Sequence, residues 1–310
     1  MVPRILVIGS SNMDLILPVN KIPAAGESVL SEHYKYIPGG KGANAAVAAA
    51  RLGADAIFCT RVGEDANGSM LIETLRKERL DTRFISRDKK KPTGLAAVLL
   101  EETRESRIIV YPGANTALSI DDIENAFLSY PDALYMPFEL SPDIIMAAAA
   151  YAKRQDIPIF LDAGPARSDL DLAKLGGVEI ISPNETEMEA MTGILPSNEK
   201  NCVEACMKLR RMVDAAHIVL KLSNRGCFLY DGKYCEFLPA YNVRAVDSTA
   251  AGDAFTAALT LEYMRTHDLV HSCKYANIVG ALTVTTLGAI SSLPTSQDVA
   301  EFVRVNEIKL

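Results

Sequence analysis

Residues 247–255 read Asp247-Ser248-Thr249-Ala250-Ala251-Gly252-Asp253-Ala254-Phe255, a short polar segment followed by an apolar helical pattern. The small side chains of Ala250, Ala251 and Gly252 leave the backbone N–H groups uncovered at the start of the predicted helix. The first N–H groups of a helix have no partner within it and carry partial positive charge. This stretch therefore predicts a binding position for an anion such as a phosphate.

Asp253 lies at the same helix start, where the helix dipole favours an ionised carboxylate that can accept a proton. An anion-binding helix start beside such a base is what transfer of a phosphoryl group to a hydroxyl requires. The alternative is that Asp253 is the N-cap of an ordinary helix. The stretch alone supports both interpretations equally, so the choice depends on the rest of the chain.

The composition is typical of a globular protein. The chain has 310 residues, of which 49% are apolar and 23% charged, and this is enough for a large α/β domain. The net charge of −7 argues against nucleic acid or an anionic membrane as a partner. No signal sequence is recognisable and no apolar run approaches ~18 residues, so we expect a cytoplasmic protein without a membrane span. The six scattered cysteines are expected to be free thiols.

Strands and helices alternate along most of the chain, which predicts a doubly wound α/β fold, a mostly parallel sheet with helices on both faces. The first buried strand is predicted at residues 4–8, and the alternation is regular from residue 121 onward. A late hairpin is predicted around Asp231-Gly232, a strong turn signal. Two final helices are expected from Ala254 and from His271. We expect residues 1–310 to form a single domain.

Some segments lack intervening helices and predict a small β-sheet lid around residues 15–37 and 94–111. The predicted lid strands are residues 15–19, 28–37, 94–100 and 107–111, the last two joined by a charged turn at residues 101–106. Exposed strand edges of mixed polarity invite pairing with another chain. We therefore expect a homodimer joined through the lid.

Polar residues follow two of the predicted buried strands. Asn12 and Asp14 lie in a predicted turn at residues 9–14, and Glu139 follows the predicted strand 133–136. Open α/β sheets bind ligands at the carboxyl ends of their strands, so these three residues are candidate ligand contacts. For Asn12 and Asp14 the alternative is turn chemistry, since both residue types favour turns.

The segment Gly39-Gly40-Lys41-Gly42-Ala43-Asn44 opens the next predicted helix. Its glycines allow a ligand to approach the backbone closely, and Lys41 and Asn44 offer donors to hydroxyls or to an anion. The segment is not a P-loop, because Gly42 stands where that motif has Ser or Thr. A glycine-rich helix start without a ligand is the weaker alternative.

The segment Pro183-Asn184-Glu185-Thr186-Glu187 begins another predicted helix, just after a strand that ends at Ile181. Acidic residues and Asn at this position stabilise a helix end. They could equally hold a hydrated Mg²⁺, which keeps several waters and needs few carboxylates. Taken alone, the segment favours helix capping.

These segments resemble, in this order, the ribokinase branch of the PfkB carbohydrate kinase family over about residues 4–300. Each segment is a weak signal, but all of them in sequence are highly specific and favour the functional interpretation of each. The matching segments are residues 9–14, 39–44, 62–68, 183–187 and 247–255. The resemblance implies a doubly wound α/β fold, a small β lid that forms a dimer interface, and ATP-dependent phosphorylation of a small sugar.

The resemblance also implies roles for individual residues. It implies that Asp253 is the catalytic base and that Ala250, Ala251 and Gly252 form an anion hole for the γ-phosphate of ATP. The implied sugar-binding positions are Asn12, Asp14, Gly40, Lys41, Asn44 and Glu139. The implied nucleotide positions are Asn184, Lys221, Ser223, Gly226 and Asn277, with Glu187 beside Asn184 at the Mg²⁺. The implied K⁺ site consists of Asp247, Thr249, Gly288 and Ser292.

Three stretches depart from the family pattern. Lys221-Leu222-Ser223 stands where a Thr-Leu-Gly run is usual, and Thr256-Ala257 replaces the commoner Asn-Gly. Leu161-Asp162-Ala163-Gly164-Pro165-Ala166 differs from the usual Asn-Pro-Ala-Pro-Ala. These departures leave phosphoryl transfer as the expectation, but they leave the nucleotide contacts and strict ribose specificity open.

The expected reaction is conversion of D-ribose to ribose 5-phosphate. Deoxyribose, fructose, another sugar or a nucleoside are the alternative substrates, and Tyr34, Tyr36 and Ile37 keep the nucleoside alternative open by offering an apolar shelf. A hypothesis of a different class is a sugar-binding protein that regulates a partner without catalysis. The departures motivate that hypothesis, whereas the intact Asp253 and the adjacent anion hole argue against it.

Overall fold

The computed structural model describes residues 2–101 and 106–310. Within them the strands are β1 (Arg4–Ile8), β2 (Asn12–Val19), β3 (Lys35–Gly39), β4 (Asp55–Gly63), β5 (Ile85–Asp88), β6 (Gly94–Glu101), β7 (Ser106–Tyr111), β8 (Ala133–Pro137), β9 (Ile159–Asp162), β10 (Val178–Ser182), β11 (Ala215–Lys221), β12 (Gly226–Tyr230) and β13 (Cys235–Pro239). The helices are α1 (Lys41–Arg51), α2 (Ala66–Lys77), α3 (Ile120–Phe127), α4 (Pro142–Arg154), α5 (Glu185–Thr192), α6 (Glu199–Met212), α7 (Ala251–Thr266), α8 (Leu269–Thr283) and α9 (Ser296–Val305).

The larger sheet has the strand order β13-β12-β11-β10-β9-β8-β1-β4-β5. The seven strands β11, β10, β9, β8, β1, β4 and β5 are parallel, whereas β12 is antiparallel to β11 and β13 is antiparallel to β12. The chain winds outward from β1 in both directions, which is the doubly wound arrangement that the sequence predicts. The carboxyl ends of the parallel strands therefore meet at one edge, where ligands bind in such folds.

Helices cover both faces of this sheet because its strands are apolar on both sides. Along β1, Ile5 and Val7 pack into one core with helices α1, α7 and α8. Leu6 and Ile8 pack into the other core, with helices α3 to α6. Continuous apolar strands of this kind are typical of parallel sheets that are buried on both faces.

A separate four-stranded sheet has the order β3-β2-β6-β7 and corresponds to the predicted lid. Strand β2 is parallel to β6 and antiparallel to β3, with Asn12 opposite both Gly94 and Gly39. Only a short connection separates β2 from the end of β1. The first polar residues of the lid therefore lie at the carboxyl edge of the large sheet.

Two local predictions for the lid are wrong. The turn predicted at residues 9–14 ends early, because Asn12 already pairs with two neighbouring strands and begins β2. The strand predicted at residues 28–37 is confined to Lys35–Gly39. Residues 28–34 have no buried face to align them, and Leu30 is 93% exposed. Of the predicted turn at residues 101–106, positions 102–105 lie outside the described residues.

Three elements were not predicted, namely β5, α3 and α9. The start of α9 carries a readable signal, a capping box in which Thr295 and Asp298 satisfy each other's backbone N–H groups. Helix α3 begins with the same device, formed by Ser119 and Asp122. The six cysteines are free thiols, as predicted. In the described part of the chain, none of the helices is both long and apolar enough to cross a membrane.

A backbone contact fixes the start of α1 against the end of β1. A Cβ atom on Gly42 would lie 2.6 Å from the Cα of Gly9. Gly40, the N-cap of α1, has a φ of 96°, which side chains rarely adopt. These glycines let α1 begin directly above β1, and this places Lys41 and Asn44 at the carboxyl edge of the large sheet.

Candidate active site

The start of α7 has the open geometry that its sequence predicts. The N-cap Ala250 is in the left-handed conformation with φ 63°, and no described side chain caps the helix. A non-glycine residue in this conformation is strained, and such strain is common at functional sites. The first N–H groups of α7 therefore have no side-chain cap, and that of Ala251 donates to the carbonyl of Ser248 over 3.3 Å. Asp253 lies in the first turn of the helix.

Two residues of α1 hold the carboxylate of Asp253. Lys41 Nζ donates to Asp253 Oδ1 over 3.1 Å, and Asn44 Nδ2 donates to Oδ2 over 2.9 Å. Asp253 is 5% exposed. Residues that are 209 to 212 positions apart in the sequence thus form one buried group, which fixes the orientation of the Asp253 carboxylate.

The predicted sugar-side residues lie next to this group. Asn12 Oδ1 accepts a hydrogen bond of 2.8 Å from Asn115 Nδ2, which orients the Asn12 amide. A Cβ atom on Gly40 would lie 2.9 Å from the backbone N of Asn12, so the two segments are in contact. Burial, together with the nearby charges of Glu139 and Asp253, raises the pKa of Asp14 to about 7. Asn115 was not predicted, and its position in a short 3-10 helix, Gly113–Ala117, gave no signal.

Glu139 follows β8, at the strand end where the sequence placed it. Its carboxylate accepts a hydrogen bond from Ser10 Oγ. Burial raises the pKa of Glu139, while Ser10 and Lys41 oppose the shift. The carboxyl groups of Glu139 and Asp253 thus face both Asp14 and Lys41.

Asp162 is the main group that the sequence reasoning missed. It ends β9 and is fully buried, and its Oδ2 accepts hydrogen bonds from Lys221 Nζ over 2.7 Å and from Thr256 Oγ1 over 3.1 Å. Burial alone would raise the pKa of Asp162, but Lys221 and Lys41 lower it below its ordinary value. The available signal was an acidic residue at the carboxyl end of a strand, the same signal that identified Glu139.

The predicted nucleotide positions gather at the ends of β10 and β11. Asn184 and Lys221 form a parallel bridge, and the N–H of Lys221 donates to the carbonyl of Pro183 over 2.8 Å. Ser223 follows with a φ of 52°, and Gly226 with a φ of 104° begins β12 against β13. Backbone groups therefore dominate this part of the cleft.

Asn277 is buried on α8, beside the end of β13. Its Nδ2 donates to the carbonyl groups of Leu238 and Pro239 over 3.3 Å each. Both amide hydrogens therefore hold the late hairpin against α8, and only the amide oxygen is left for another partner.

Asn184 and Glu187 form the capping box of α5. Asn184 Oδ1 accepts from the N–H of Glu187 over 2.8 Å, and Glu187 Oε2 accepts from the N–H of Asn184 over 2.7 Å. The other oxygen of Glu187 lies against Gly164. Residues 2–101 and 106–310 contain no cluster of three or more His, Cys, Asp or Glu side chains that could hold a metal. One carboxylate oxygen fits a hydrated Mg²⁺ that is bound mainly through phosphates.

Asp247 joins the loop before α7 to the loop after α8. Its Oδ1 accepts from the N and Oγ1 of Thr249, over 2.9 and 2.7 Å, and its Oδ2 accepts from the N of Gly288 over 2.8 Å. Ser292 is buried nearby in sequence, and its Oγ donates to the carbonyl of Ala289. Hydrogen bonds thus connect three of the four predicted K⁺ residues, namely Asp247, Thr249 and Gly288. Carboxylate, hydroxyl and carbonyl oxygens are the ligands that a hard cation takes.

Comparison with known proteins bears on this arrangement. A family model described as pfkB family carbohydrate kinase matches residues 2–296. The chain is 31% identical over 299 residues to a ribokinase of Haemophilus influenzae, covering 96% of this chain and 97% of that protein. It is 30% identical over 307 residues to a deoxyribokinase of Salmonella typhi, covering 98% and 99%.

The fold has solved counterparts as well. The structure of Arabidopsis thaliana ribokinase complexed with ribose and ATP superposes with a TM-score of 0.88 at 27% identity, covering 98% of this chain and 99% of that one. Its fold agrees with the large sheet, the lid and the helical layers described above.

The raised pKa of Asp14 makes stability depend on pH. Its ordinary pKa of 3.8 applies to the unfolded chain, so between about pH 4 and pH 7 the folded state holds more protons and stability falls as pH rises. Asp14→Asn removes this pH-dependent contribution to the free energy of unfolding. Relative to wild type, we expect the variant to gain about 2 to 3 kcal/mol of unfolding free energy between pH 5 and pH 8, measured by urea denaturation.

The control is Asp143→Asn, at an exposed position on α4. Its difference from wild type should stay constant over the same pH range. A constant difference for Asp14→Asn as well would contradict the assignment of this titration to Asp14.

Proposed function

Because this chain belongs to the pfkB family of carbohydrate kinases, we propose that it transfers the γ-phosphoryl group of ATP to the 5-hydroxyl of D-ribose. The observation that carries the proposal is the carboxylate of Asp253, held by Lys41 and Asn44 at the open start of α7. A base and an anion-binding position are adjacent there, as transfer to a hydroxyl requires.

In the proposed reaction Asp253 accepts the proton of the 5-hydroxyl as the sugar oxygen attacks the γ-phosphorus. Lys41 and Asn44 orient the carboxylate, and the backbone N–H groups of Ala250, Ala251 and Gly252 bind the oxygens of the transferring group. Glu187 with Asn184 would hold Mg²⁺, which offsets the charge of the phosphates when bound. Asp247, Thr249, Gly288 and Ser292 would hold K⁺ behind the same helix start.

The sugar would bind between the lid and the carboxyl edge of the large sheet. The groups that offer hydrogen bonds there are Asn12, Asp14, Gly40, Lys41, Asn44 and Glu139. This density of donors and acceptors suits a small, fully hydroxylated sugar better than a nucleoside. The rings of Tyr34 and Tyr36 are exposed and pack edge to face against each other, so they form no flat shelf for a base.

The nucleotide would lie across the ends of β10 and β11. We assign its contacts to Asn184, Lys221, Ser223, Gly226 and Asn277. Of these, Asn277 has only its amide oxygen left for a ligand, so it would accept a hydrogen bond rather than donate one. We also propose a cytoplasmic location, because six free thiols suit a reducing compartment.

Asp253→Ala tests the proposed base. We expect kcat for ribose phosphorylation to fall by about 10³-fold or more with the sugar Kd changed little, because the variant loses proton transfer and not the hydroxyl partners. Coupled ADP release measures the rate, and titration calorimetry measures ribose binding.

Glu262→Gln is the matched control. Glu262 is a carboxylate of similar burial at the other end of α7, bonded to His271 and Arg265. It should keep wild-type kcat. Near-wild-type turnover by Asp253→Ala would contradict the assignment of Asp253 as the catalytic base. Ribose binding by the wild type without ADP release would favour the hypothesis of a non-catalytic regulator.

Substrate choice is the second test. Removal of the 2-hydroxyl leaves one of the buried polar groups without a partner, so D-ribose should exceed 2-deoxyribose by at least about tenfold in kcat/KM, or about 1.4 kcal/mol. Competition assays with ribose, 2-deoxyribose, fructose and a nucleoside give the ratios. Equal values for the two pentoses, or a preferred nucleoside, would remove ribose from the proposal and leave the kinase assignment in place.

We propose a homodimer through the lid, supported by strand β7 at the edge of the small sheet. Its residues Ile108, Ile109, Val110 and Tyr111 are all more than half exposed. We expect light scattering at micromolar concentration to give twice the chain mass, and Ile109→Lys to give the monomer. Leu128→Lys, at an equally exposed position outside the lid, should remain dimeric. A monomeric wild type would contradict the proposal.

A further inference from the structure

The three stretches that depart from the family pattern meet in one buried cluster. Lys221 Nζ donates to Asp162 Oδ2 over 2.7 Å and to Thr256 Oγ1 over 3.2 Å. Thr256 Oγ1 lies 3.1 Å from Asp162 Oδ2. We call Asp162, Lys221 and Thr256 the buried triad. Each of its side chains comes from a different element, β9, β11 or α7, so three separated segments supply it.

The ammonium group of Lys221 faces the start of α7. It lies 3.8 Å from the point that a Cβ atom on Gly252 would occupy. Thr256 Oγ1 also lies 3.1 Å from the carbonyl of Gly252, which links the triad to the first turn of the helix. The charge of Lys221 is therefore adjacent to the proposed anion hole.

Lys221 has a hydrogen-bond donor to spare. A lysine ammonium has three N–H donors, and the triad accepts two of them. The side chain of Lys221 is 11% exposed, so little water reaches the remaining donor. A buried cation with an unused donor beside an anion-binding helix start is suited to a phosphate oxygen.

Three hydrogen bonds occupy most of the acceptor capacity of the Asp162 carboxylate. Its Oδ2 accepts from Lys221 and Thr256, and its Oδ1 accepts from the N–H of Gly164 over 3.0 Å. Lys41 Nζ lies 3.8 Å from Oδ1 as well. The carboxylate is thus positioned between the lysine that contacts the base and the lysine that faces the anion hole.

We propose that Asp162 and Thr256 hold Lys221 so that its ammonium group binds the γ-phosphate of the nucleotide, next to Gly252. The inference rests on the proposed function and assigns Lys221 as a phosphate-binding residue, with Asp162 and Thr256 as positioning residues. In the reaction the bond between the γ-phosphorus and the β–γ bridging oxygen breaks, and the sugar oxygen forms the new bond. ADP keeps the electron pair, and Asp253 receives the proton.

Positioning by Asp162 matters because lysine has a flexible stem. A free lysine side chain loses about 2 kcal/mol of rotamer entropy when a ligand immobilises it. In the buried triad Lys221 is already immobilised in the folded protein, so binding of the nucleotide does not incur this loss of entropy. The ammonium is then in place before the nucleotide arrives, and preorganised charge stabilises a transition state better than mobile charge.

Binding measurements test where Lys221 acts. Lys221→Met should weaken the binding of a non-hydrolysable ATP analogue at least about tenfold and change ADP binding less than about twofold, because only the analogue carries a γ-phosphate. Titration calorimetry with Mg²⁺ present gives both constants. Equal weakening for the two nucleotides would place Lys221 at another phosphate and overturn the inference.

Turnover measurements test the positioning role. We expect Lys221→Met to lower kcat about 100-fold with the ribose KM nearly unchanged, and Lys221→Arg to recover part of the loss. Asp162→Asn and Thr256→Val should each lower kcat by about tenfold or more in the wild type, and each should have little further effect in the Lys221→Met background. Multiplicative losses in the double variants would show that Asp162 or Thr256 acts independently of Lys221, against the inference.

The double variant Asp162→Asn/Lys221→Met provides a measurement if a single variant fails to fold. Each single variant leaves one buried charge without its nearest partner, whereas the double variant removes both charges of that pair. We expect its thermal stability to exceed that of either single variant, so its nucleotide binding remains measurable.

Glu179→Gln is the control, a carboxylate-to-amide change on the neighbouring strand β10 that affects a hydrogen bond to Tyr263. It should leave kcat and both nucleotide affinities unchanged. Wild-type turnover by Lys221→Met, alongside an inactive Asp253→Ala, would overturn this inference and leave the proposed function standing. Absence of ribose phosphorylation by the wild type would instead overturn the proposed function.

Discussion

The candidate site depends on the mutual neutralisation of charges buried at the carboxyl edge of the large sheet. Lys41 and Lys221 face the carboxylates of Asp162 and Asp253 at distances of 2.7 to 3.8 Å. An unpaired ion at such a depth costs several kcal/mol, so each of these groups is tolerated only because the others are present. Burial alone would lower the pKa of Lys41, yet the surrounding carboxylates raise it well above its ordinary value. The elements that carry the charges, α1, β9, β11 and α7, must therefore be assembled together.

Glycine makes this assembly possible on the α1 side. The backbone of Gly42 lies against that of Gly9, at a separation that leaves no room for a Cβ atom. Helix α1 can consequently begin directly over the end of β1, and its first turn reaches Asp253 on α7. On the opposite side, Ala250 adopts a left-handed conformation that leaves the start of α7 uncapped. Local strain and close packing thus bring the two helix starts to one point.

The sequence predicted the parts of the structure that follow from local pattern. Alternating apolar strands and helices predicted the doubly wound sheet, and glycine-rich or acidic helix starts predicted the elements that carry Lys41, Asn184 and Asp253. It could not predict the pairing of Asp162 with Lys221, which are separated by 59 positions and meet only through the order of strands in the sheet. The strand expected at residues 28–37 was wrong for a different reason. Mixed polarity does not distinguish an exposed strand from an exposed loop, and only the pairing of Lys35–Gly39 with β2 decides the point.

The charges of the cleft are arranged in the order that the proposed reaction needs. A sugar is neutral and requires acceptors for its hydroxyls, and the side with Asp14 and Glu139 supplies carboxyl groups whose pKa values are raised by burial. A nucleotide brings negative charge, and the side with Lys221 supplies a cation next to the helix start. Lys41 lies between them and contacts Asp253, where the acceptor and the transferring group would meet. Asp162 lies 2.7 Å from Lys221 but 3.8 Å from Lys41, so its charge acts mainly on the phosphate side of the cleft and only weakly on the base side.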